Sequence, residues 1–165
     1  DVSGFREWTP IGRVDFSYDG IFNGQGHTIS GLYFNNSRRY YVGFFGYTGR
    51  NSKISNVGIV DSYFCGLNYV GGVCGHHSYG EISNCYSAGA VSATSNFVGG
   101  VCGTNSRGST ISNCYFNSEK YDKDAVGTNH SSTVINTKGK TTAQFASGEV
   151  CYLLNKGVTN NTQSW

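Results

Sequence analysis

Apolar and polar positions along this chain recur in short blocks on a long beat. The tetrapeptide Ile-Ser-(Gly or Asn)-apolar stands at Ile29-Ser30-Gly31-Leu32, Ile54-Ser55-Asn56-Val57, Ile82-Ser83-Asn84-Cys85 and Ile111-Ser112-Asn113-Cys114, so the Ile residues are 25, 28 and 29 apart. A second marker keeps the same time: Tyr41-Val42-Gly43, Tyr69-Val70-Gly71 and Phe97-Val98-Gly99 are each 28 residues apart. Two markers on one period indicate a repeat architecture, and the period narrows the choice. Helical arrays need Ala-, Leu-, Glu- and Lys-rich stretches that residues 20–117 lack. Leucine-rich repeats need several Leu per unit, and Leu occurs only at 32, 67, 153 and 154. A propeller blade needs about 40 residues or more. Twenty-eight residues at about 3.3 Å each trace roughly 90 Å, which fits one β-solenoid coil of two or three short strands separated by Gly- and Asn-rich turns.

In such a coil each side chain stacks on its counterpart about 4.8 Å along the axis. Val42, Val70 and Val98 are expected to form one inner ladder, and Ile29, Ile54, Ile82 and Ile111 another. Asn56, Asn84 and Asn113 form a third, whose amides can bond along the stack. Cys85 and Cys114 occupy the place of Leu32 and Val57, and therefore read as core residues. Cys74 and Cys102 stack on each other, and Phe45 is their counterpart only if the alignment slips by one residue. Buried Cys behaves as a small hydrophobe. The six Cys residues are therefore read mainly as free core thiols, with a Cys74 to Cys102 bridge as the alternative.

The ends of a stack expose unpaired strand edges. Residues 1–140 read as the β-solenoid with its N-terminal lead-in and an exit loop at 117–140 lying outside the repeat. Residues 141–165 read as a helical C-terminal cap: Thr141 and Gln144 have capping-box spacing, Phe145, Val150, Leu153 and Leu154 follow at helical intervals, Gly148 is a possible break and Gly157 a stop. The fold class is all-β, with about four coils and this short helical cap.

Composition then limits the chemistry. The 165 residues include 24 Gly and 12 Tyr but no Met, so the sequence reads as one unit of a longer precursor with flanking domains. Charged residues are only 13% and the formal charge is +2. Because the Lys and Arg are scattered, nucleic acid is not expected as a partner. No apolar run reaches the roughly 20 residues of a membrane span, so no membrane insertion by this segment is expected. The acidic residues are isolated within the repeat. Their one cluster, Glu119, Asp122 and Asp124, is interleaved with Lys120 and Lys123 and reads as a solvated run. His76-His77 lack the spaced third ligand of a zinc site and read as turn surface. No catalytic residues, metal ligands or cofactors are assigned.

F-N-G-Q-G-H-T-I-S-G-L at 22–32, Y-V-G-F-F-G-Y at 41–47, the two V-G-G-V-C-G units each followed by I-S-N-C-Y, and T-T-A-Q-F-A-S-G-E-V-C-Y-L-L-N at 141–155 together resemble the bacterial GLUG-repeat proteins. The resemblance spans nearly the whole chain. It implies a right-handed parallel β-helix-like solenoid from a secreted or wall-attached adhesin-like polypeptide, and brings no catalytic residues with it. The Cys at 74, 85, 102 and 114 depart from the usual aliphatic residues.

The outer surface supplies the candidate contacts. Tyr33, Gly58, Tyr86 and Tyr115 directly follow the inward apolar residues, and Tyr41, Tyr69 and Phe97 precede the Val ladder. Strand alternation points both rows outward, as aromatic ladders for a sugar or protein. The sequence thus leads to a non-catalytic extracellular module of a bacterial surface protein, with an adhesion or spacer role. Its partner is expected to be a host or bacterial surface protein or glycan. The alternative is a carbohydrate-binding or substrate-positioning module of a secreted hydrolase or peptidase.

Overall fold

The computed structural model describes residues 7–155 and 165; Gly157, expected to stop the last helix, lies outside them. The chain winds as a parallel β-solenoid of about four coils. The first coil holds β1 (Ile21–Ser30), β2 (Tyr33–Asn35), β3 (Tyr40–Val42) and β4 (Phe45–Thr48). The second holds β5 (Lys53–Val60), β6 (Tyr63–Gly66), β7 (Asn68–Gly71) and β8 (Cys74–Ser78). In the third, β9 (Glu81–Ser83) and β10 (Tyr86–Ser87) divide what β5 runs through continuously, before β11 (Ala90–Ala93), β12 (Val98–Gly99) and β13 (Cys102–Ser106). The fourth is shorter: β14 (Thr110–Ser112), β15 (Tyr115–Asn117) and β16 (Val126–His130). β17 (Thr133–Ile135) and β18 (Lys138–Lys140) begin a further coil, and α1 (Thr142–Ala146) and α2 (Glu149–Leu154) follow.

Every strand pairs in parallel with its counterpart one coil away. Val42, Val70 and Val98 share one row, and Ile54, Ile82 and Ile111 share another. All of these but the half-buried Val98 are fully buried. Each such side chain contributes roughly 1.5–3 kcal/mol by leaving water, which is how so short a coil holds together.

One expected register is corrected and a conditional one is met. Ile29 pairs with Ile59, and Phe22 stands opposite Ile54. The cause is the irregularity between Asn23 and His27, where Gly24-Gln25-Gly26 insert extra chain and shift the first I-S-G-L motif by one strand row. Phe45 does stand opposite Cys74, so the one-residue slip is real: V-G-F-F is one residue shorter than V-G-G-V-C.

The segment 117–140 is also corrected, because it continues the repeat. Val126 pairs with Cys102, Thr133 with Thr110 and Lys138 with Tyr115. Its signature is degraded because the fourth coil lacks strands beside β11 and β12. A shortcut replaces them, held where Tyr121 Oη donates to the Val98 carbonyl at 2.7 Å and Asp124 O accepts from Gly100 N at 3.0 Å.

The bend after I-S is made by Gly31 in the first coil (φ 75°) and by asparagine in the later ones. Asn56, Asn84, Asn113 and Asn136 have φ of 55°, 51°, 51° and 44°, a left-handed conformation that Asn tolerates better than other non-glycine residues. Their amides bond along the expected row in two pieces, with no Asn56–Asn84 bond among the described residues. Asn56 Nδ2 donates to Asn23 Oδ1 at 3.0 Å, Asn113 to Asn84 at 2.6 Å, and Asn136 to Asn113 at 2.9 Å.

Thr141 caps α1 in a full capping box with Gln144, and left-handed Gly148 (φ 81°) separates the two helices. The cap lies along the outer side of the β10/β15 row. There Val150 and Leu154 pack on Tyr115, and Phe145 packs on Tyr86.

Candidate contact surface

Tyr41, Tyr69 and Phe97 form a continuous half-buried stack. Ring centroids are 4.9 Å apart in both steps, with interplanar angles of 14° and 12°. All three have positive φ, at 62°, 57° and 62°. For bulky side chains this is a strained conformation costing of order 1–3 kcal/mol per residue, only partly offset by about 0.5–1.5 kcal/mol for each aromatic pair. The strain aims each ring outward while the next residue, Val, enters the core. Because the faces stack on one another, edges and hydroxyls are presented. Burial, and then the neighbouring phenols Tyr69, Tyr47 and Tyr40, raise the pKa of Tyr41, so that hydroxyl remains a donor at neutral pH.

Beside this stack, Tyr47 and His76 lie face to face at 4.5 Å. His76 Nε2 is 2.9 Å from Ser106 Oγ. Burial, assisted by Arg107 and His130, lowers the pKa of His76 to about 4, so it is neutral at pH 7. Ser106 is itself buried, and its hydroxyl also donates to the His77 carbonyl at 3.3 Å. Among the described residues no carboxylate hydrogen-bonds His76, so the pair acts as a packing contact and lacks the orienting acid of a nucleophilic triad.

The expectation of His76-His77 as turn surface is overturned, because both lie on β8. His77 is fully buried, with Nδ1 2.6 Å from Thr48 Oγ1, and burial brings its pKa down to about 4. It belongs to an internal polar corner in which Ser109 Oγ lies 2.6 Å from Asn105 Oδ1 and Asn105 Nδ2 donates to Asn129 Oδ1 at 3.1 Å.

The second expected row does not stay together. Tyr33 stacks on Tyr63 at 5.7 Å, in the β2/β6 sheet. Tyr86 and Tyr115 are register partners, but the cap covers them: Tyr115 is 1% exposed, and Tyr86 rests against Phe145 and Trp165 at 5.4 and 5.2 Å. Strand alternation correctly turned them from the core and could not show that the helices return to cover them. Gly58 completes that row as the place where the Tyr86 ring lies, leaving no space for a Cβ.

Tyr47, Tyr63 and Tyr79 were missed, as were Arg50 and Arg107. The last three fall at one corner of successive coils, a spacing the repeat period could have revealed. Among the described residues, no group of three His, Cys, Asp or Glu side chains could hold a metal ion.

Comparison with known proteins bears on residues 66–92, which match the family described as the GLUG motif. This segment of the chain is a GLUG motif. The matched unit runs from the end of β6 into β11, close to one coil of the stack, and contains Tyr69, His76 and Tyr86. The chain is also 32% identical over 79 residues to a Gly-rich protein of Evansella cellulosilytica whose name places it among membrane proteins. That alignment covers 47% of this chain and 9% of the relative. No solved structure matches. No helix among the described residues is long and apolar enough to cross a membrane.

Proposed function

We propose that this solenoid is a non-catalytic extracellular module of a bacterial surface protein, making adhesive contacts through the Tyr41/Tyr69/Phe97 face. The observation that carries the reading is the placement of three large aromatic residues in left-handed backbone, where Asn serves the same bend elsewhere in the coil. A solenoid needing only to turn its chain has cheaper residues for these positions. Rows held at the solenoid spacing make a flat, rigid surface, and its edge-presented hydroxyls suit a broad contact with a surface macromolecule. The GLUG match and the Gly-rich relative support a surface location.

The test is retention of the purified module on immobilised mucin and on intact epithelial cells. Wild type is compared with Tyr41→Ser plus Tyr69→Ser, and circular dichroism confirms that the fold survives. Retention is expected to fall by about tenfold, as for the loss of one or two interface anchors. Retention by the double variant equal to that of wild type sinks this assignment.

A further inference from the structure

One corner of the coil carries a second set of strained positions with a different chemistry. Tyr79 and Arg107 both have φ of 61°, where Gly or Asn is the inexpensive choice. Tyr79 comes from the second coil, while Arg50 and Arg107 come from the coils on either side. The Arg50 guanidinium lies 5.0 Å from the centre of the Tyr79 ring and that of Arg107 lies 5.5 Å from it. Arg107 Nη1 also donates to Tyr79 Oη at 3.0 Å, which draws the phenol below its ordinary pKa. The phenol thus brings the two guanidinium groups into one column along the axis, drawn from coils two spacings, or roughly 10 Å, apart.

Among the described residues neither guanidinium forms an ion pair with a carboxylate; the ion pair formed is Lys140 with Glu149, far from this corner in the chain. Arg50 and Tyr79 border an open groove of about 460 Å³ to which Lys53, Asn51 and Thr110 add an ammonium, an amide and a hydroxyl. Glu81 also lines it and stands opposite Lys53 in the strand register. Two cations, Arg50 and Lys53, against the Glu81 carboxylate leave the groove lining positive, and Arg107 adds a third cation beside it across Tyr79.

We propose that the Arg50/Tyr79/Arg107 column and its groove bind an acidic polysaccharide running along the solenoid axis. A guanidinium presents a donor fork to a carboxylate or sulfate, and the amide and hydroxyl suit sugar hydroxyls. A pyranose chain advances by about one coil spacing per sugar, so a polymer with an anionic group on alternate sugars meets the two arginines in step. The inference extends the surface-module reading by naming a ligand class, at a corner separate from the Tyr41/Tyr69/Phe97 stack.

The test is binding of the 165-residue chain to dextran sulfate, polygalacturonate, neutral dextran and poly-glutamate, measured by biolayer interferometry at low and physiological salt. Tighter binding of at least one acidic glycan than of neutral dextran, weakening as salt rises, is expected. Arg50→Gln plus Arg107→Gln should lower that affinity about tenfold or more, while Tyr41→Ser plus Tyr69→Ser leaves it unchanged. Equal affinity for neutral and acidic dextrans overturns the proposal, as does an unchanged arginine double variant. Poly-glutamate binding as tightly as the acidic glycans overturns the glycan class. Acidic-glycan binding that survives when adhesion is lost in the tyrosine variant separates this site from the adhesive face.

Discussion

Asn113 offers the sharpest test of how the solenoid turns its chain. It sits at φ 51° and holds three side-chain hydrogen bonds. Its Nδ2 donates to Asn84 Oδ1 at 2.6 Å, and its Oδ1 accepts from Tyr115 Oη at 3.0 Å and from Asn136 Nδ2 at 2.9 Å. A net hydrogen bond is worth about 1 kcal/mol when buried, and because Asn113 is half-exposed the set is taken as about 2 kcal/mol. Asn113→Ala loses these bonds and forces a Cβ residue without amide compensation into left-handed backbone, for a further 1–2 kcal/mol or so. Asn113→Gly loses the same bonds and adopts the conformation freely, but loosens the unfolded chain by roughly 0.5–1 kcal/mol. The Ala variant should therefore fall about 3–4 kcal/mol below wild type and the Gly variant about 1 kcal/mol less far. In a domain of this size each kcal/mol moves Tm by about 2–4 °C, so thermal and urea melts followed by circular dichroism resolve the order. An Ala variant as stable as the Gly variant would mean that backbone conformation is not what selects Asn here.

Acid should weaken the fold through His77. Its folded pKa of about 4 lies below the unfolded value near 6.5, so the unfolded chain binds more protons between those limits and stability falls as pH drops through that window. The contribution is roughly 3 kcal/mol. Urea midpoints for His77→Gln should depend less on pH between 6.5 and 4 than those of wild type; parallel profiles refute the assignment. The six cysteines are free thiols, with Cys151 exposed, Cys65 half-buried and the other four buried. Ellman's reagent should consume Cys151 quickly, Cys65 more slowly and the rest only on unfolding. Recovery of a disulfide-linked Cys74/Cys102 peptide overturns this.

The Val and Ile ladders could be read from the sequence because identical inner residues recur wherever two neighbouring coils have equal length. Ile29 was misplaced because the insertion around Gln25 changes the coil length without changing the motif. The fourth coil escaped notice for the converse reason. A short loop replaces two strands, so Gly127-Thr128-Asn129 repeats Gly103-Thr104-Asn105 after 24 residues, and I-S-N becomes Val134-Ile135-Asn136. At the surface, residue type identified the Tyr41/Tyr69/Phe97 row because its position relative to the Val ladder is constant. The fate of Tyr86 and Tyr115 depends on where two helices more than 25 residues downstream come to rest, which no local pattern encodes. His77 was read as a polar surface residue because period and polarity do not reveal that Thr48, one coil earlier, supplies an internal partner.

The position of the helices also changes how the stack responds to load. In a simple solenoid each coil touches only its neighbours, and the chain can be peeled away one turn at a time. Here Phe145, Val150 and Cys151 line a small pocket together with Gly26 and Thr28 of the first coil and Tyr86 of the third. The helices therefore act as a longitudinal latch, packed on Tyr86 of the third turn and Tyr115 of the fourth and reaching alongside the first. Force applied at the C-terminal end meets the latch before the coils, so its release must precede any turn-by-turn unwinding from that end.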